Sequence, residues 1–246
     1  MDRYWAAIVH GWDFCYNEEK DGRGGETVKK KITLIVALLI CLVVCAGGIF
    51  ACRYQRTSDK RLPDRYGTEI VRLQSSEDKD GDGIDDQTDI LQGALMYVGT
   101  HPKYKSRYYQ TGYPNDGYGV CTDVVAYALQ NAGYDLMELV ARDIQENPDG
   151  YDIDQPDKKI DFRRVRNLKV YFADTAIPLT TSLADIEQWQ GGDIVIFESH
   201  IGIVSDRRNA DGVPYVIHHN DPFQKSYEED ILESRGNIVG HYRVSE

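Results

Sequence analysis

With 246 residues and a formal net charge of −12, the chain has room for one sizeable core plus accessory segments but not for two large domains. Beyond residue 53 the imbalance deepens to 21 Lys+Arg against 34 Asp+Glu, and a surface of that sign repels phosphate backbones, which argues against nucleic acid as a partner. Four of the five cysteines, Cys15, Cys41, Cys45 and Cys52, precede that point, so Cys121 has no disulfide partner in the remainder.

Residues 1–31 carry no interpretable motif and read as an N-terminal tail. Residues 32–52 follow without a single charge, and at ~1.5 Å rise per residue a helix of this length matches a hydrocarbon core of ~30 Å. They are expected to cross a lipid bilayer once. Lipid attachment at Cys52 is the lesser alternative, because Phe50 is bulky for such a site and the stretch ahead of the apolar core is long for a leader. Lys20, Arg23, Lys29, Lys30 and Lys31 before the span are balanced by Arg53, Arg56, Lys60, Arg61 and Arg65 after it, so charge assigns no orientation. Residues 53–76 are polar and aperiodic and read as a juxtamembrane linker, leaving 77–246 as the soluble domain.

That domain opens on an acidic loop, 78–89. Asp78, Asp80, Asp82, Asp86 and Asp89 occupy loop positions 1, 3, 5, 9 and 12, with Gly83 at the sharp turn and the Ile84 carbonyl at position 7, which is the spacing of an EF-hand calcium loop. Asp89 stands where the EF-hand pattern has Glu, a shorter arm that resembles dockerin-type loops. The plain alternative is a solvated acidic linker, but carboxylates this close repel one another unless a cation neutralises them. A structural Ca2+ that fixes the start of the next helix is expected.

Apolar spacing then predicts four helices. The first carries Ile90, Leu91, Ala94, Leu95 and Val98, and the second runs from Cys121 to Asn131 with Gly133 at its C-terminal stop. The third carries Leu136, Leu139, Val140 and Ile144, and the fourth Val165, Leu168, Tyr171 and Phe172. Strands are predicted at 193–197, 201–205 and 214–218, separated by turn residues. Helices followed by an antiparallel sheet indicate an α+β domain.

Cys121 opens its helix after a loop rich in glycine and tyrosine. At that position the helix dipole and free N–H groups favour a thiolate, so a lowered thiol pKa is expected, and the same N–H groups suit an oxyanion. If 205–213 makes a hairpin turn, His200 lies opposite 218–220, and side-chain alternation allows His218 or Asn220 to touch it while His219 points to the other face. Cys121 is then the candidate nucleophile, His200 the base and later acid, and His218 the orienting partner, with Asn220 as the alternative. A small buried cysteine and histidines satisfied within a sheet are the ordinary reading of the same residues. Asp123 is read chiefly as a helix cap. Arg163, Arg164 and Arg166 suit either a solvated helix face or a substrate carboxylate. The tyrosines between Tyr97 and Tyr118 suit packing or a cleft wall.

The order Gly119-Val120-Cys121-Thr122-Asp123-Val124-Val125, Gly192-Asp193-Ile194-Val195-Ile196-Phe197, Ser199-His200-Ile201-Gly202-Ile203-Val204 and Val216-Ile217-His218 resembles the NlpC-type cell-wall cysteine peptidases. Those are papain-like enzymes with a helix-opening cysteine facing histidines on a sheet. More closely, Val120-Cys121-Thr122-Asp123-Val124, 160–168, 200–206 and Gly240-His241-Tyr242 resemble a bacterial family catalogued as domain of unknown function 1287, over nearly all of 90–243. Thr122-Asp123 departs from the Ser-Gly usual after the peptidase cysteine, and the hairpin after His200 is longer than typical. The resemblance implies a papain-like NlpC-type fold and an oxyanion-assisting tyrosine near Tyr109, with Tyr108 and Tyr113 as competitors.

It also implies a cysteine peptidase or amidase acting on peptidoglycan stem peptides or a related cell-wall peptide, tethered to a bacterial cell membrane through 32–52 with the soluble domain outside. A non-catalytic calcium-stabilised cell-wall binding module and an acyltransferase on the same scaffold are the alternatives. No catalytic cofactor is expected.

Overall fold

The computed structural model describes residues 22–245, and its internal contacts divide the chain into Met1–Ala51 and Cys52–Glu246. Residues 1–21 of the expected tail lie outside the described residues. In the first unit, α1 (Gly22–Arg53) carries the apolar run and begins ahead of it, so Lys29, Lys30 and Lys31 ride on the helix. Its stretch Val28–Arg53 has a mean hydropathy of 3.0 and no buried residue in its apolar window, which makes it long and apolar enough to cross a membrane.

In the second unit, α2 (Asp86–Gly99) starts where Asp85 accepts a hydrogen bond from the Thr88 N–H at 3.1 Å. The two-residue strands β1 (Lys103–Tyr104) and β2 (Tyr118–Gly119) pair in parallel and bracket the tyrosine-rich loop. One residue later α3 (Cys121–Asn131) begins, and Gly133, at φ +77°, turns the chain away from its end. Helices α4 (Leu136–Glu146), α5 (Lys158–Asp161) and α6 (Val165–Thr175) follow. The rest is mostly sheet: β3 (Ile177–Pro178), β4 (Ile194–Phe197), β5 (His200–Arg208), β6 (Pro214–Ile217), β7 (Glu228–Glu229), the short α7 (Leu232–Arg235) and β8 (Ile238–Arg243). The strand order is β3-β8-β4-β5-β6-β7 and every neighbouring pair is antiparallel.

The sheet is covered on both faces, which explains why its central strands read as apolar runs rather than as alternating patterns. Ile194, Ile196, Ile201, Ile203 and Ile217 face a core shared with Ile90, Val124, Leu136 and Leu168 of the helices. Val195, Phe197, Val204 and Val216 face a smaller cluster completed by Trp189, Val213 and Leu232. Complete burial of each such side chain contributes about 1.5–3 kcal/mol.

Segment 53–76 is not a free spacer. The Gln55 N–H donates to Pro222 O at 2.6 Å, Ser58 bridges Ser226, and Arg61 Nη2 reaches Glu228 Oε1 at 2.7 Å and Ser205 Oγ at 2.8 Å. Its polar side chains meet polar groups along the β7 side of the sheet, so a lack of apolar periodicity did not mean a lack of docking.

Asp193, fully buried, joins the sheet to α2. It accepts from Arg243 Nε at 2.9 Å, Arg243 Nη2 at 3.0 Å, Gln87 Nε2 at 2.8 Å and the Gln190 N–H at 2.8 Å, and it lies 3.0 Å from His241 Nε2. Gly192 before it has φ +97°, and a Cβ there would come within 2.4 Å of Gln87 O, so only glycine lets the backbones approach this closely. Asp193→Ala strands the buried Arg243 and is expected to cost about 3–5 kcal/mol, lowering Tm by roughly 10 °C in a thermal melt of the detergent-solubilised protein. Glu138→Ala, which removes the exposed partner of Lys158, should shift Tm by no more than about 2 °C.

Candidate functional site

Cys121 sits where β2 runs into α3. Asp123 reaches back to the Val120 N–H at 2.8 Å, closing the first turn, and receives Arg163 Nε at 2.6 Å and Nη2 at 2.9 Å. Both side chains of this ion pair are buried, so Asp123 is a cap as expected, while Arg163 belongs to neither a solvated face nor a substrate pocket. Its Nη1 also donates to Arg107 O at 2.7 Å, and its guanidinium lies 5.0 Å from the Tyr109 ring centre. Arg164 and Arg166 line a groove shared with Asp152, Asp154, Asp157 and Asp161.

The thiol is half-buried. The N–H groups of Thr122 and Ile201 are directed at the sulfur and favour its charged form, but burial outweighs them and pushes the thiol up to about 11. The lowered pKa expected from the helix N-terminus is therefore overturned: the loss of solvent around the sulfur exceeds what two backbone dipoles return. Ile201 follows His200 in β5, so the sulfur lies at the end of the strand that carries the imidazole.

Pairing of Ile203 with Ile217 sets the register of β5 on β6. With that parity His218 stands beside His200, and His200 Nε2 lies 2.9 Å from His218 Nδ1. Glu229 of β7 completes the chain, with Oε2 3.3 Å from His218 Nε2. Gln224 Nε2 donates to Ser226 O at 2.7 Å and lies 3.2 Å from His218 O and 3.3 Å from His218 Nε2, the nitrogen that also faces Glu229. In the tautomer where His218 Nε2–H donates to Glu229, His218 Nδ1 accepts from His200 Nε2–H and His200 Nδ1 is the basic nitrogen. Burial, reinforced by the neighbouring His218 and Arg235, lowers His200 to about 2, and burial lowers His218 against the pull of Glu229.

Asn220, the alternative orienting partner, is not in this chain: its amide donates to Asp221 Oδ2 at 2.7 Å and its Oδ1 accepts from Arg235 Nη1 at 3.0 Å. His219 turns away from His200, packs edge-on against the rings of Tyr104 and Tyr227, and has both ring nitrogens buried without a hydrogen bond; burial lowers it to about 4. Tyr109 is engaged elsewhere, its hydroxyl donating to Asp116 at 2.8 Å. The tyrosine within electrostatic range of Cys121 is Tyr104, raised first by burial and then by the sulfur's charge. Its backbone N–H and C=O are both held by the Gln55 side chain, at 2.6 and 2.8 Å. Tyr97, Tyr118 and Tyr127 line a groove of about 500 Å³ next to β2, and the Tyr97 and Tyr127 rings stack at 4.6 Å.

In the acidic loop, ligand oxygens of Asp78, Asp80 and Asp82 all lie within 4.8 Å of one another, so these three could hold a cation. Backbone N–H groups orient them: Gly81 and Gly83 donate to Asp78 at 2.8 and 2.9 Å, and Ile84 donates to Asp82 at 2.8 Å. Asp89 is held up at about 6, by burial and then by repulsion from Asp82, Asp80 and Asp78. Asp86, expected as a ligand, is turned away and fully buried, accepting from the Lys79 N–H at 2.7 Å and from the Tyr134 hydroxyl.

Residues 91–244 match the family described as Domain of unknown function (DUF1287). The chain belongs to this family. It is also similar to the uncharacterized protein YijF of Escherichia coli (strain K12), at 37% identity over 169 residues, covering 63% of this chain and 80% of that protein. The DUF1287 match includes Cys121, His200, His218 and Glu229, whereas α1, the docked segment and the acidic loop lie outside it.

Thiol alkylation tests the electrostatics. With Cys15, Cys41, Cys45 and Cys52 replaced by Ser, iodoacetamide labelling of Cys121 should be slow at pH 7 and climb about tenfold per pH unit up to pH 10, because only the thiolate reacts and the thiol titrates at about 11. A rate that levels off below pH 8 would show instead that the site stabilises the thiolate.

Proposed function

We propose that this chain is a cysteine hydrolase of the NlpC-type, papain-like kind, held in a bacterial membrane by α1 with the second unit outside the cell, and that it cleaves a peptide or amide bond of peptidoglycan stem peptides. The observation that carries the reading is the hydrogen-bonded chain His200–His218–Glu229, which starts in β5 one residue before Ile201, whose N–H is directed at the Cys121 sulfur. Thiol and imidazole are both neutral at rest, so proton transfer accompanies attack rather than preceding it. As the C–S bond forms, the thiol proton passes to His200 Nδ1, and His200 then gives it to the leaving amine as the C–N bond breaks. Water, deprotonated by the same nitrogen, hydrolyses the thioester. His218 and Glu229 steady the imidazolium that forms transiently. Tyr104 and the Thr122 N–H are the donors placed near the sulfur for the oxyanion.

A second reading, a binding module for wall fragments, draws on the same raised thiol pKa, since a resting site without a thiolate also suits a cleft that only holds its ligand. An acyltransferase would differ from the hydrolase only in what accepts the acyl group. Incubating the detergent-solubilised protein with purified peptidoglycan and analysing released fragments by mass spectrometry separates them. New fragments are expected from the wild type and none from Cys121→Ala; equal release by the two proteins excludes Cys121 as nucleophile.

We also propose that the acidic loop takes a structural Ca2+ through Asp78, Asp80, Asp82, the Ile84 carbonyl and Asp89. The folded state keeps a proton on Asp89 up to about pH 6, whereas an unperturbed aspartate loses it near 3.8, so raising the pH through this window costs the ion-free fold stability. A bound cation removes that cost. Calcium at tenfold excess over its Kd should add about 1.4 kcal/mol at pH 7.5, a Tm gain of roughly 3–5 °C that shrinks at pH 5 and vanishes in Asp78→Ala. A melt insensitive to calcium and chelator at both pH values excludes the ion.

A further inference from the structure

The site carries one arginine that the hydrolytic chemistry does not use. Arg235 ends α7, which is anchored by the buried Leu232, and the chain leaves it through Gly236 at φ +63° and Asn237 at φ +47°, a tight turn into β8. Its guanidinium lies 5.5 Å from the centre of the Phe197 ring and donates from Nη1 to Asn220 Oδ1 at 3.0 Å. These two supports flank His200. Phe197 is its registered partner on β4, and Asn220 lies in the loop three residues after β6, the strand that pairs with β5 on its other side. The guanidinium therefore spans from β4 to the loop that follows β6. Consistent with that placement, the charge of Arg235 acts on Cys121, His200 and His218 alike.

Its bonding state differs from that of the buried Arg208, whose guanidinium is spent on the carbonyls of Ile186, Gly212 and Trp189, and from that of the arginines held by carboxylates. Arg61, Arg107, Arg163 and Arg243 each pair with a carboxylate. Among the described residues, Arg235 pairs with none; its one hydrogen-bond partner is a neutral amide oxygen, and the residue is exposed to solvent. A guanidinium has five N–H donors in a planar fork, so an edge remains open to a bidentate acceptor. In a domain with 34 acidic residues against 21 basic ones, a cation fixed beside the candidate nucleophile without a counter-charge is complementary to an anion brought in from outside.

We infer that Arg235 recognises a carboxylate on the substrate, within one or two residues of the bond presented to Cys121. This rests on the hydrolase reading for the reaction but not for the binding. It narrows the substrate class to peptides or amides with a free carboxylate next to the scissile bond, and it moves the carboxylate-binding role from Arg163, Arg164 and Arg166 to a residue at the site itself. The Asn220 amide and the Phe197 ring act as positioning groups that hold the fork over His200.

The test uses the detergent-solubilised full chain and a muramidase digest of purified peptidoglycan, native or with its carboxylates converted to carboxamides. On native fragments Arg235→Gln should raise KM at least tenfold with a smaller change in kcat, and Arg235→Lys should recover part of the loss. On amidated fragments wild type should fall to the level of Arg235→Gln, and the substitution should then have no further effect, the signature of a direct pair. Binding to the Cys121→Ala protein by calorimetry gives a readout independent of turnover: native fragments should bind at least tenfold more tightly than amidated ones, and adding Arg235→Gln should erase the difference. Carboxylate-dependent binding without cleavage by the wild type would uphold the role of Arg235 and refute the hydrolase. Equal binding of native and amidated fragments, or no binding of either, overturns it, and a melt of Arg235→Gln matching wild type shows that the fold is intact.

Discussion

The pairing of Ile203 with Ile217 is the constraint on which the site depends. Side chains alternate along a strand, so a slip of one residue would bring His219 to His200 in place of His218 and send the apolar residues of β6 to the wrong cores. Burial of both sheet faces makes such a slip costly: Ile203 and Ile217 fill one core while Val204 and Val216 fill the other. The same register carries over to β7, where Glu229 pairs with Val216 and so comes within reach of His218. The hydrogen-bonded chain is in this sense a by-product of apolar packing, and its polar members are held by forces that act elsewhere.

A second anchor fixes the other half. Asp123, two residues into α3 from Cys121, closes the first helical turn and is clamped by the buried Arg163. The start of α3 is thereby tied to the chain ahead of α6, and the sulfur is presented to the end of β5 without freedom to drift. Burial favours the neutral forms of the Cys121 thiol and the His200 imidazole, and an electrostatic interaction brought in by a ligand would be less screened there than in water.

Elements with a long period were legible in advance. Helices α2, α3, α4 and α6 each repeat apolar residues over eleven or more positions, and the boundaries of α3 coincide with those read from Cys121, Asn131 and Gly133. The relation of His200 to His218 was legible because strand parity is a local rule. Glu229 was not, since it lies in a two-residue strand with no alternation to detect, and Arg235 lies in a four-residue helix too short to show a period. Tyr104 ends a two-residue strand and Tyr109 lies in the aperiodic loop after it, and only tertiary structure separates the one near the sulfur from the one bonded to Asp116. The direction of the Cys121 shift is hidden from the sequence for a related reason: the helix dipole follows from position in the chain, whereas desolvation depends on what the rest of the chain lays over the sulfur. Asp86 had the right spacing for a calcium ligand and was claimed instead by Tyr134, a partner 48 residues away.

The docked segment before the acidic loop bears on how the domain can be released from its anchor. Arg61 is the cation that neutralises Glu228, a carboxylate almost wholly enclosed, and Ser58 and Gln55 continue the contact along the sheet edge and to Tyr104. Shedding by a protease that cuts after residue 76 would strip Glu228 of its counter-charge and of the Leu62 N–H, and would uncover the β7 edge for strand-to-strand aggregation. A soluble form that keeps its shape has to be severed ahead of Gln55, at Tyr54 or within the last turn of α1.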